Sequence, residues 1–348
     1  MDWFERLTGF VEATGEAGYE ETRQRLQVTG DRLESRVNGR SFRIGTLELV
    51  SLHSLRDSAL SGSPVAGPRT VRIVEGDARE LHSRAEYASA VFQVASQFNL
   101  LEMVGPDVTP ECGVARYASD RTQGPACAIA AGAATLYRNY FAPVGTAAGQ
   151  TSERQLDGFA DLGAALAHRL GSPAETLWAM RNGYAMFTPD GIRDLSGHVR
   201  ALHEDQRDQL RQRLKIGMHW DVEVTDGTVA PGPLVSQAFC SALPVSYHHF
   251  PGARGADWEP LATLVLEAAY EATLWAAVVN AQRGGSHKVL LTALGGGAFG
   301  NDERWILSAM QRALRVVSVH GLEIAIVSFR SPSPELRKWA RAQVQPAA

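Results

Sequence analysis

Cysteine is scarce in this sequence, with Cys112, Cys127 and Cys240 the only three among 348 residues. Their number is odd and they lack the spacing of metal ligands, so neither a disulfide framework nor a zinc site is expected. Reduced thiols are typical of a cytoplasmic protein, which is the expected location. No metal and no cofactor are predicted.

A surplus of basic residues is also lacking. The chain has 34 Lys and Arg against 38 Asp and Glu, which gives a net charge of -4. The chain has no excess of positive charge that could displace counterions from a nucleic-acid backbone, so nucleic acid is not an expected partner. A small anionic ligand held by main-chain amides remains open. The hydrophobic share of 45% is that of an ordinary soluble globular protein.

Targeting and membrane-spanning patterns are not found either. The N-terminus carries acids and has no basic region followed by an apolar one, so no signal peptide is predicted. The most apolar long segment, 261–281, contains Glu267 and Glu271, and we interpret it as a buried helix rather than a membrane span. The sequence does not indicate an oligomeric state.

A glycine cluster after an apolar run is the most distinctive stretch that the sequence does have. The apolar residues 289–294 precede Gly295, Gly296 and Gly297, and an amphipathic helix opens near Asp302. An all-apolar strand is typical of the centre of an α/β sheet. Consecutive glycines permit a close approach to the backbone, and a following helix points its free N–H groups at the turn. Alone, the pattern is more typical of a plain tight βα turn, and a phosphate site is the alternative that it also permits.

Alternation of strands and helices predicts the fold class. Strands are predicted at 70–74, 90–95, 217–224, 235–245, 289–294 and 323–329, with helices between them. Such alternation is typical of an α/β fold with layers of helices around a largely parallel sheet.

Composition divides the chain into segments. Residues 1–65 are predicted to be a helical and β-hairpin extension, because Asn38-Gly39 lies between two alternating runs. Residues 66–335 form the main domain, with an insertion at about 141–215 that is largely helical. Residues 336–348 are a polar tail.

In this order, the motifs resemble those of the macrodomain family, the α/β/α modules that bind ADP-ribose, and within it the poly(ADP-ribose) glycohydrolase-like branch. The resemblance covers about residues 70–330. It is carried by Val74-Glu75-Gly76-Asp77-Ala78, the strand ending at Asn99, the helix start at Gly124, the strand ending near Pro244, and Leu294-Gly295-Gly296-Gly297-Ala298-Phe299-Gly300-Asn301. It implies a three-layer fold with a mixed, largely parallel sheet.

The resemblance also implies ligand contacts. Asp77, with Ala78 beside it, is expected to accept the adenine amino group; the alternative is a helix N-cap. Asn99 is expected to contact the distal ribose; the alternative is an Asn that satisfies its own turn. Phe299 either covers a ribose or belongs to the core. The remaining expected ligand contacts are Gly124, Gly295, Gly296, Gly297, Ala298, Gly300 and Asn301, with the loop amides around the diphosphate.

The catalytic motif of the resembling glycohydrolases is absent. They carry a Gln-Glu-Glu motif, whereas residues 120–125 read Asp-Arg-Thr-Gln-Gly-Pro. The candidates for proton chemistry are therefore Asp120 and Glu102, with Gln123 orienting a hydroxyl or a water. For each acid the alternative is a solvated or turn-capping carboxylate. Asp107 and Glu111 in the same loop are weaker candidates.

Other reactive side chains are interpreted as structural. His248-His249 lacks a third ligand at a recognisable spacing and predicts a surface loop. Cys127 has no obvious His partner and is predicted to be buried packing. The charge-rich segment 204–215 is predicted to be a solvated helix face.

Three functions compete at this point. The first is hydrolysis of an ADP-ribose derivative, either an ADP-ribosylated substrate or an NAD-derived molecule, at its distal ribose. The second is non-catalytic sensing of such a ligand, which the missing Glu-Glu pair favours. The third is a pocket rebuilt for another nucleotide. The insertion follows the helix that should line the distal ribose, so it is expected to set substrate choice.

Overall fold

The computed structural model of the protein describes residues 1–227, 229–248 and 255–343. Its strands are β1 (Leu26–Thr29), β2 (Arg32–Ser35), β3 (Ser41–Arg43), β4 (Thr46–Ser51), β5 (Thr70–Glu75), β6 (Val91–Ala95), β7 (Pro143–Val144), β8 (Ala147–Ala148), β9 (Trp178–Arg181), β10 (Tyr184–Phe187), β11 (Lys215–Glu223), β12 (Leu234–Cys240), β13 (Lys288–Leu291) and β14 (Glu323–Ser328). Its helices are α1 (Trp3–Thr8), α2 (Gly15–Gln24), α3 (Leu52–Ser61), α4 (Ala78–Ser83), α5 (Gln123–Ala130), α6 (Gly132–Tyr140), α7 (Ala160–Leu170), α8 (Ala174–Leu177), α9 (Pro189–Ala201), α10 (Glu204–Arg211), α11 (Gly255–Gln282), α12 (Glu303–Val316) and α13 (Pro334–Gln343).

A mixed seven-stranded sheet in the order β4-β11-β12-β6-β13-β14-β5 forms the middle layer. The strands from β12 to β5 in this order run parallel to one another, and β11 runs antiparallel to both of its neighbours. Helices α3, α9, α11 and α12 pack together on one side, and α1, α4, α5 and α6 form the other layer. The predicted three-layer α/β/α fold is confirmed.

The apolar strand runs feed two cores because alternate side chains point to opposite faces. In β13, Val289 and Leu291 enter the core beneath α11, while Leu290 enters the core on the other face. β14 repeats the pattern with Ile324 and Ala325. Burial on both faces explains why these strands read as continuous apolar runs.

The longest helix, α11, is buried as its sequence predicts. It is long and apolar enough to span a membrane by length and composition, and 89% of its most apolar window is buried inside the protein. Its partners are α3, α9, α12 and the sheet. Packing against these elements accounts for its apolar composition.

The N-terminal segment contributes one strand to the main sheet, and the boundary near residue 65 stays a prediction. The hairpin at Asn38-Gly39 is present, with β2 paired to β3. The chain then turns at Gly45, whose φ of +65° is in the left-handed region. β4 leaves the hairpin there and becomes an edge strand of the main sheet beside β11. One unbroken alternating pattern in the sequence concealed this change of sheet.

The segment 141–215 contains the helices α7, α8, α9 and α10. α9 ends at Ala201 and α10 begins at Glu204, where His203 and Gln206 form a reciprocal cap. Between α8 and α9 the segment also forms the hairpin of β9 and β10. The predicted polar tail is helical through α13, and 344–348 lie outside the described residues.

The segment 204–215 has the predicted solvated face at Glu204, Asp205 and Gln209, but Asp208 and Arg211 on its other side are in a buried charge cluster. Asp208 accepts hydrogen bonds from both terminal nitrogens of Arg56, at 2.8 and 2.9 Å, and one from Arg312 at 3.2 Å. Both arginines also pair with Glu271, which is completely buried on α11. The cluster joins α3, α10, α11 and α12. Sequence periodicity did not reveal it because each charge is compensated by a residue distant in the chain.

Asp208→Asn should remove a pH-dependent part of the stability. Hydrogen bonds from Arg56 hold the pKa of Asp208 well below its ordinary 3.8. Its contribution is therefore complete above that ordinary pKa and is lost as pH falls through the lower folded pKa. We expect the variant to be less stable by about 1–3 kcal/mol at pH 7, with the difference shrinking below about pH 4. Denaturant unfolding at pH 7 and pH 3 measures both.

Glu21→Gln is the matched control, because Glu21 forms an exposed pair with Arg25 within one helix. Such pairs are worth about 0.3–0.5 kcal/mol. A difference for Asp208→Asn that stays constant across pH would contradict the assigned role.

Candidate functional site

A cavity of about 700 Å³ lies at the carboxyl ends of β6, β12, β13 and β14. Its volume is within the range of small-molecule sites, and this edge of a parallel sheet is where α/β proteins bind ligands. The predicted site residues that line it are Glu102, Asp120, Gln123, Gly124, Gly295, Gly297, Ala298 and Phe299. Residues from six separate parts of the chain meet there.

The glycine loop presents free amides to the cavity. Within the described ranges, the main-chain N–H groups of Gly295, Gly297, Ala298 and Phe299 have no hydrogen-bond acceptor. A Cβ on Gly297 would meet nothing within 4 Å. Several amide donors converging on open space form an anion-binding concavity without any charged side chain.

The other predicted loop residues shape this turn rather than line the cavity. The Gly296 N–H donates to the Ala293 carbonyl at 3.0 Å. Gly300, at φ +71°, lies so close to Ser246 that a Cβ would overlap its hydroxyl. Asn301 Nδ2 donates to the Leu243 carbonyl at 2.9 Å. These contacts fix the curvature that aims the free amides.

The start of α12 is not the phosphate site that its position suggests. Asp302 caps this helix, and its carboxylate accepts from the Arg304 N–H at 2.8 Å. A carboxylate already compensates the helix dipole there. Anion recognition in this region therefore depends on the loop amides that precede the helix.

Two arginines that sequence reasoning missed lie on the cavity wall. Arg116 and Arg121 are exposed and line the cavity, and neither forms an ion pair in the part of the chain that the structure describes. Their guanidinium groups are suited to phosphate oxygens. Their position on both sides of the predicted Asp120 was the available signal.

Glu102 is a buried carboxyl group on the cavity wall. Its exposed fraction is 3%, and Oε1 lies 3.4 Å from Nη2 of the fully buried Arg138. Oε2 has no hydrogen-bond partner among the described residues. Burial raises the pKa of Glu102 to about 7, and the Arg138 charge opposes that shift only in part. Oε2 is itself buried within the cavity wall, and the pKa near neutrality is of the kind that suits proton transfer.

Gly124 is the point where α5 meets β6. A Cβ here would overlap the carbonyl oxygen of Ala95 and would lie 3.0 Å from Cγ of Glu102. The position is therefore restricted to glycine, and the side chain of Glu102 fills the space beside it.

Gln123 holds this contact in place. Its Oε1 accepts from the Ala95 N–H at 2.9 Å, and its Nε2 donates to the Gln93 carbonyl at 2.8 Å. Both ends of the carboxamide are thus occupied by β6. Gln123 thereby positions the helix, and since it also lines the cavity, the expected contact with a substrate hydroxyl or a water stays a prediction.

Asp120 lines the cavity and also caps its own turn, since its Oδ1 accepts from the Thr122 N–H at 2.8 Å. The weaker candidates serve the segment 141–215 instead. Asp107 pairs with Arg181. Glu111 accepts from the Ser152 N–H at 2.8 Å.

Three further expected ligand contacts, besides the loop residues above, lie outside the cavity lining. Asp77 caps α4 by accepting from the Arg79 N–H at 2.8 Å, which is the alternative that the sequence left open. Ala78 is buried beneath α5. Asn99 is fully buried, and its Nδ2 donates to Gln155 at 2.8 Å. It therefore anchors the segment 141–215, and its expected contact with a ribose stays a prediction.

Gln97, two residues before Asn99, lies on the cavity wall, where Asn99 was expected. Its Oε1 accepts from the Met103 N–H at 2.8 Å. Its Nε2 has no acceptor within residues 1–227, 229–248 and 255–343. A donor at the end of β6 is thus available to a ligand hydroxyl.

Three aromatic rings form one side of the cavity, and we call Tyr184, Tyr247 and Phe299 the aromatic wall. Their centroids are 5.2 to 5.6 Å apart. Tyr184 comes from β10, so the insertion does contribute to the cavity. At the carboxyl end of β14, Phe329 lines the cavity and is 63% exposed.

The N-terminal segment supports the rim that carries Arg116. Glu12 accepts from the N–H groups of Val114 and Ala115 at 2.9 and 2.6 Å, and from the Tyr140 hydroxyl at 2.7 Å. Ala115 begins the short 3-10 turn that contains Arg116. This brace links α6 to the rim through a residue that no local pattern marks.

The remaining candidates are structural. Nε2 of His248 accepts from the Phe187 N–H at 2.8 Å, and His249 lies outside the described residues. Burial raises the pKa of the Cys127 thiol well above its usual range, so it stays protonated. No group of three or more His, Cys, Asp or Glu side chains suited to a metal occurs in the described part of the chain.

Comparisons with known proteins find similarity in solved structures alone. No family model matches, and no curated protein matches. The poly(ADP-ribose) glycohydrolase from Thermomonospora curvata is 13% identical, with 94% of this chain and 96% of that chain covered and a TM-score of 0.47. The glycohydrolase from Deinococcus radiodurans in complex with ADP-ribose is 12% identical, with 84% and 91% covered and a TM-score of 0.43. They belong to the branch that the motifs indicated. Because both scores are below 0.5, function is inferred from the cavity residues themselves.

Replacing Glu102 with Gln should change how stability depends on pH. The folded protein keeps a proton on Glu102 up to about pH 7, whereas an ordinary carboxyl group releases it near 4.5. The stability of the wild type therefore falls as pH rises between these values. Relative to Glu102→Gln, we expect a loss of up to about 3 kcal/mol, measured by denaturant unfolding at several pH values.

Glu16→Gln changes an exposed carboxylate and serves as the control. Parallel pH profiles for the wild type and Glu102→Gln would contradict a proton held on Glu102.

Proposed function

We propose that this protein binds the ADP-ribose part of a conjugate in the cavity and hydrolyses the glycosidic bond at its distal ribose. The observation that carries the proposal is the presence of an anion-binding loop and a buried acid in one cavity. The loop offers the free amides of Gly295, Gly297 and Ala298, and Glu102 offers an unpaired oxygen. The motif resemblance favours ADP-ribose as the ligand.

The strand order gives the ligand a direction. Phe329, at the end of β14, provides an exposed ring for the adenine. The diphosphate then lies over the glycine loop at the end of β13, within reach of Arg116 and Arg121. The distal ribose lies at the end of β6, beside Gln97 and Glu102.

Glu102 provides the proton chemistry in this arrangement. A carboxyl group with a pKa of about 7 is divided between its acid and base forms near neutral pH. The acid form protonates the leaving atom as the glycosidic bond breaks. The carboxylate then takes a proton from the water that adds to the anomeric carbon.

The departure from the family motif supports this assignment. Where the resembling glycohydrolases have two glutamates, this chain has Gly124 and Pro125. The missing Cβ of Gly124 leaves room that the Glu102 side chain occupies, with Cγ 3.0 Å from the position of that Cβ. A carboxyl group thus reaches the same end of the cavity from a different loop.

A non-catalytic sensor of ADP-ribose is the second candidate. It is favoured by the deep burial of Glu102, at 3% exposure, and by the absence of a second acid beside it. Turnover of an ADP-ribosylated substrate separates the two functions.

Binding is tested with Gly297→Glu. The new side chain has room, but its carboxylate would lie against the diphosphate and repel it. We expect ADP-ribose to bind the wild type at roughly micromolar strength, with at least about a hundredfold loss in the variant, measured by calorimetry. Gly197→Glu, on the exposed face of α9 and also with open space, should bind like the wild type. Equal affinity of Gly297→Glu and wild type would place the anion elsewhere.

Catalysis is tested with Glu102→Gln, which keeps the shape of the side chain and removes the transferable proton. We expect kcat for release of ADP-ribose to fall by about 10²–10⁴, with a smaller effect on Kd. Asp120→Asn is the comparison, since Asp120 already serves its own turn. Full turnover in Glu102→Gln would refute the mechanism, and binding without turnover in the wild type would establish the sensor.

A further inference from the structure

The aromatic wall is the part of the cavity that the proposed function leaves unused. Tyr184, Tyr247 and Phe299 all line the cavity and contact one another edge to face or at tilted angles. An ADP-ribose unit needs one ring for its adenine, and Phe329 at the far end of the cavity provides it. Three further rings at the ribose end exceed the needs of a sugar.

The surface of this wall is apolar although two of its rings are tyrosines. The Tyr184 hydroxyl donates to the Met103 carbonyl at 2.6 Å, and the Tyr247 hydroxyl donates to the Val104 carbonyl at 3.4 Å. Phe299 has no polar group. Tyr184 is almost completely buried, at 1% exposure, so the half-buried rings of Tyr247 and Phe299 are the part of the wall that presents ring carbon. Ring carbon favours a flat aromatic group over the polar atoms of a sugar or a peptide.

The wall adjoins the proposed acid. Tyr184 bonds to the carbonyl of Met103, the residue directly after Glu102 in the chain. An acid that protonates a leaving atom must lie on the side of the leaving group. The leaving group is thus held between Glu102 and the aromatic wall.

We propose that the substrate is a conjugate of ADP-ribose with an aromatic nitrogen heterocycle, which stacks on the aromatic wall. This inference rests on the proposed function. In the reaction, the bond between the anomeric carbon and the ring nitrogen breaks, and the electron pair stays on that nitrogen, which receives the Glu102 proton. Water forms the new bond to the anomeric carbon, and its proton restores Glu102. The products are ADP-ribose and the free heterocycle.

The test compares two synthetic glycosides of ADP-ribose that differ only at the distal anomeric position. One carries a 4-nitrophenyl group and the other a methyl group. Dissociation constants are measured by calorimetry in Glu102→Gln, which limits turnover. We expect the aryl glycoside to bind about tenfold tighter than the methyl glycoside.

Additional substitutions in the Glu102→Gln background show which ring causes the preference for the aryl glycoside over the methyl glycoside. Tyr247→Leu, added to Glu102→Gln, should bring the ratio close to one, while Tyr247→Phe should retain it because the ring remains. Phe329→Leu is the matched control: it removes an aromatic ring at the adenine end, so it should weaken both glycosides equally and leave the ratio unchanged.

The outcomes separate this inference from the proposed function. If the methyl glycoside binds and the ratio is near one, or if Tyr247→Leu leaves a tenfold ratio intact, the aromatic leaving group is refuted and the ADP-ribose site stands. If neither glycoside nor ADP-ribose binds, the proposed function fails, and this inference fails with it.

Discussion

The close approach of α5 to the end of β6 is the constraint on which the cavity depends. Gly124 lies against the Ala95 carbonyl, where any side chain would overlap it, and Gln123 bonds to β6 on both sides of that contact. The approach brings the first turn of the helix into the lining and leaves the space that Glu102 fills. A chain with a larger residue at this point would need a different acid and a different floor to the cavity.

The fold was predictable because its signals are local. Strands buried on both faces have continuous apolar sequences such as 289–291, and the glycine loop predicted after them does lie at the cavity. The site was predictable only in part. Glu102, Asp120, Gln123, Gly295 and Gly297 do line the cavity. Asn99 lies outside the lining, and the hydrogen bonds of Asn99 and Gln123 go to neighbouring protein groups. A sequence motif gives the position of a polar residue and does not show whether the fold already occupies its hydrogen bonds.

What could not be predicted depends on contacts between distant parts of the chain. Glu12 braces the rim at Val114, and Tyr184 enters the cavity from the segment 141–215. Arg138 lies behind Glu102 and counteracts part of the rise in its pKa. Each of these contacts joins residues that sequence periodicity does not relate. The contacts are therefore visible only in the three-dimensional structure. The buried cluster around Asp208 belongs to the same class, since composition alone suggested a solvated surface.

The neutral character of the anion-binding loop has a kinetic consequence. With a net charge of -4 the protein as a whole repels an anionic ligand at long range. The amides of the loop act only at contact, because dipoles attract over much shorter distances than charges do. Long-range attraction would therefore come from Arg116 and Arg121 on the cavity wall, and the association rate should fall as salt screens these two charges. Selectivity for the ligand would then depend mainly on its dissociation rate, which is governed by how well the ligand fits the cavity.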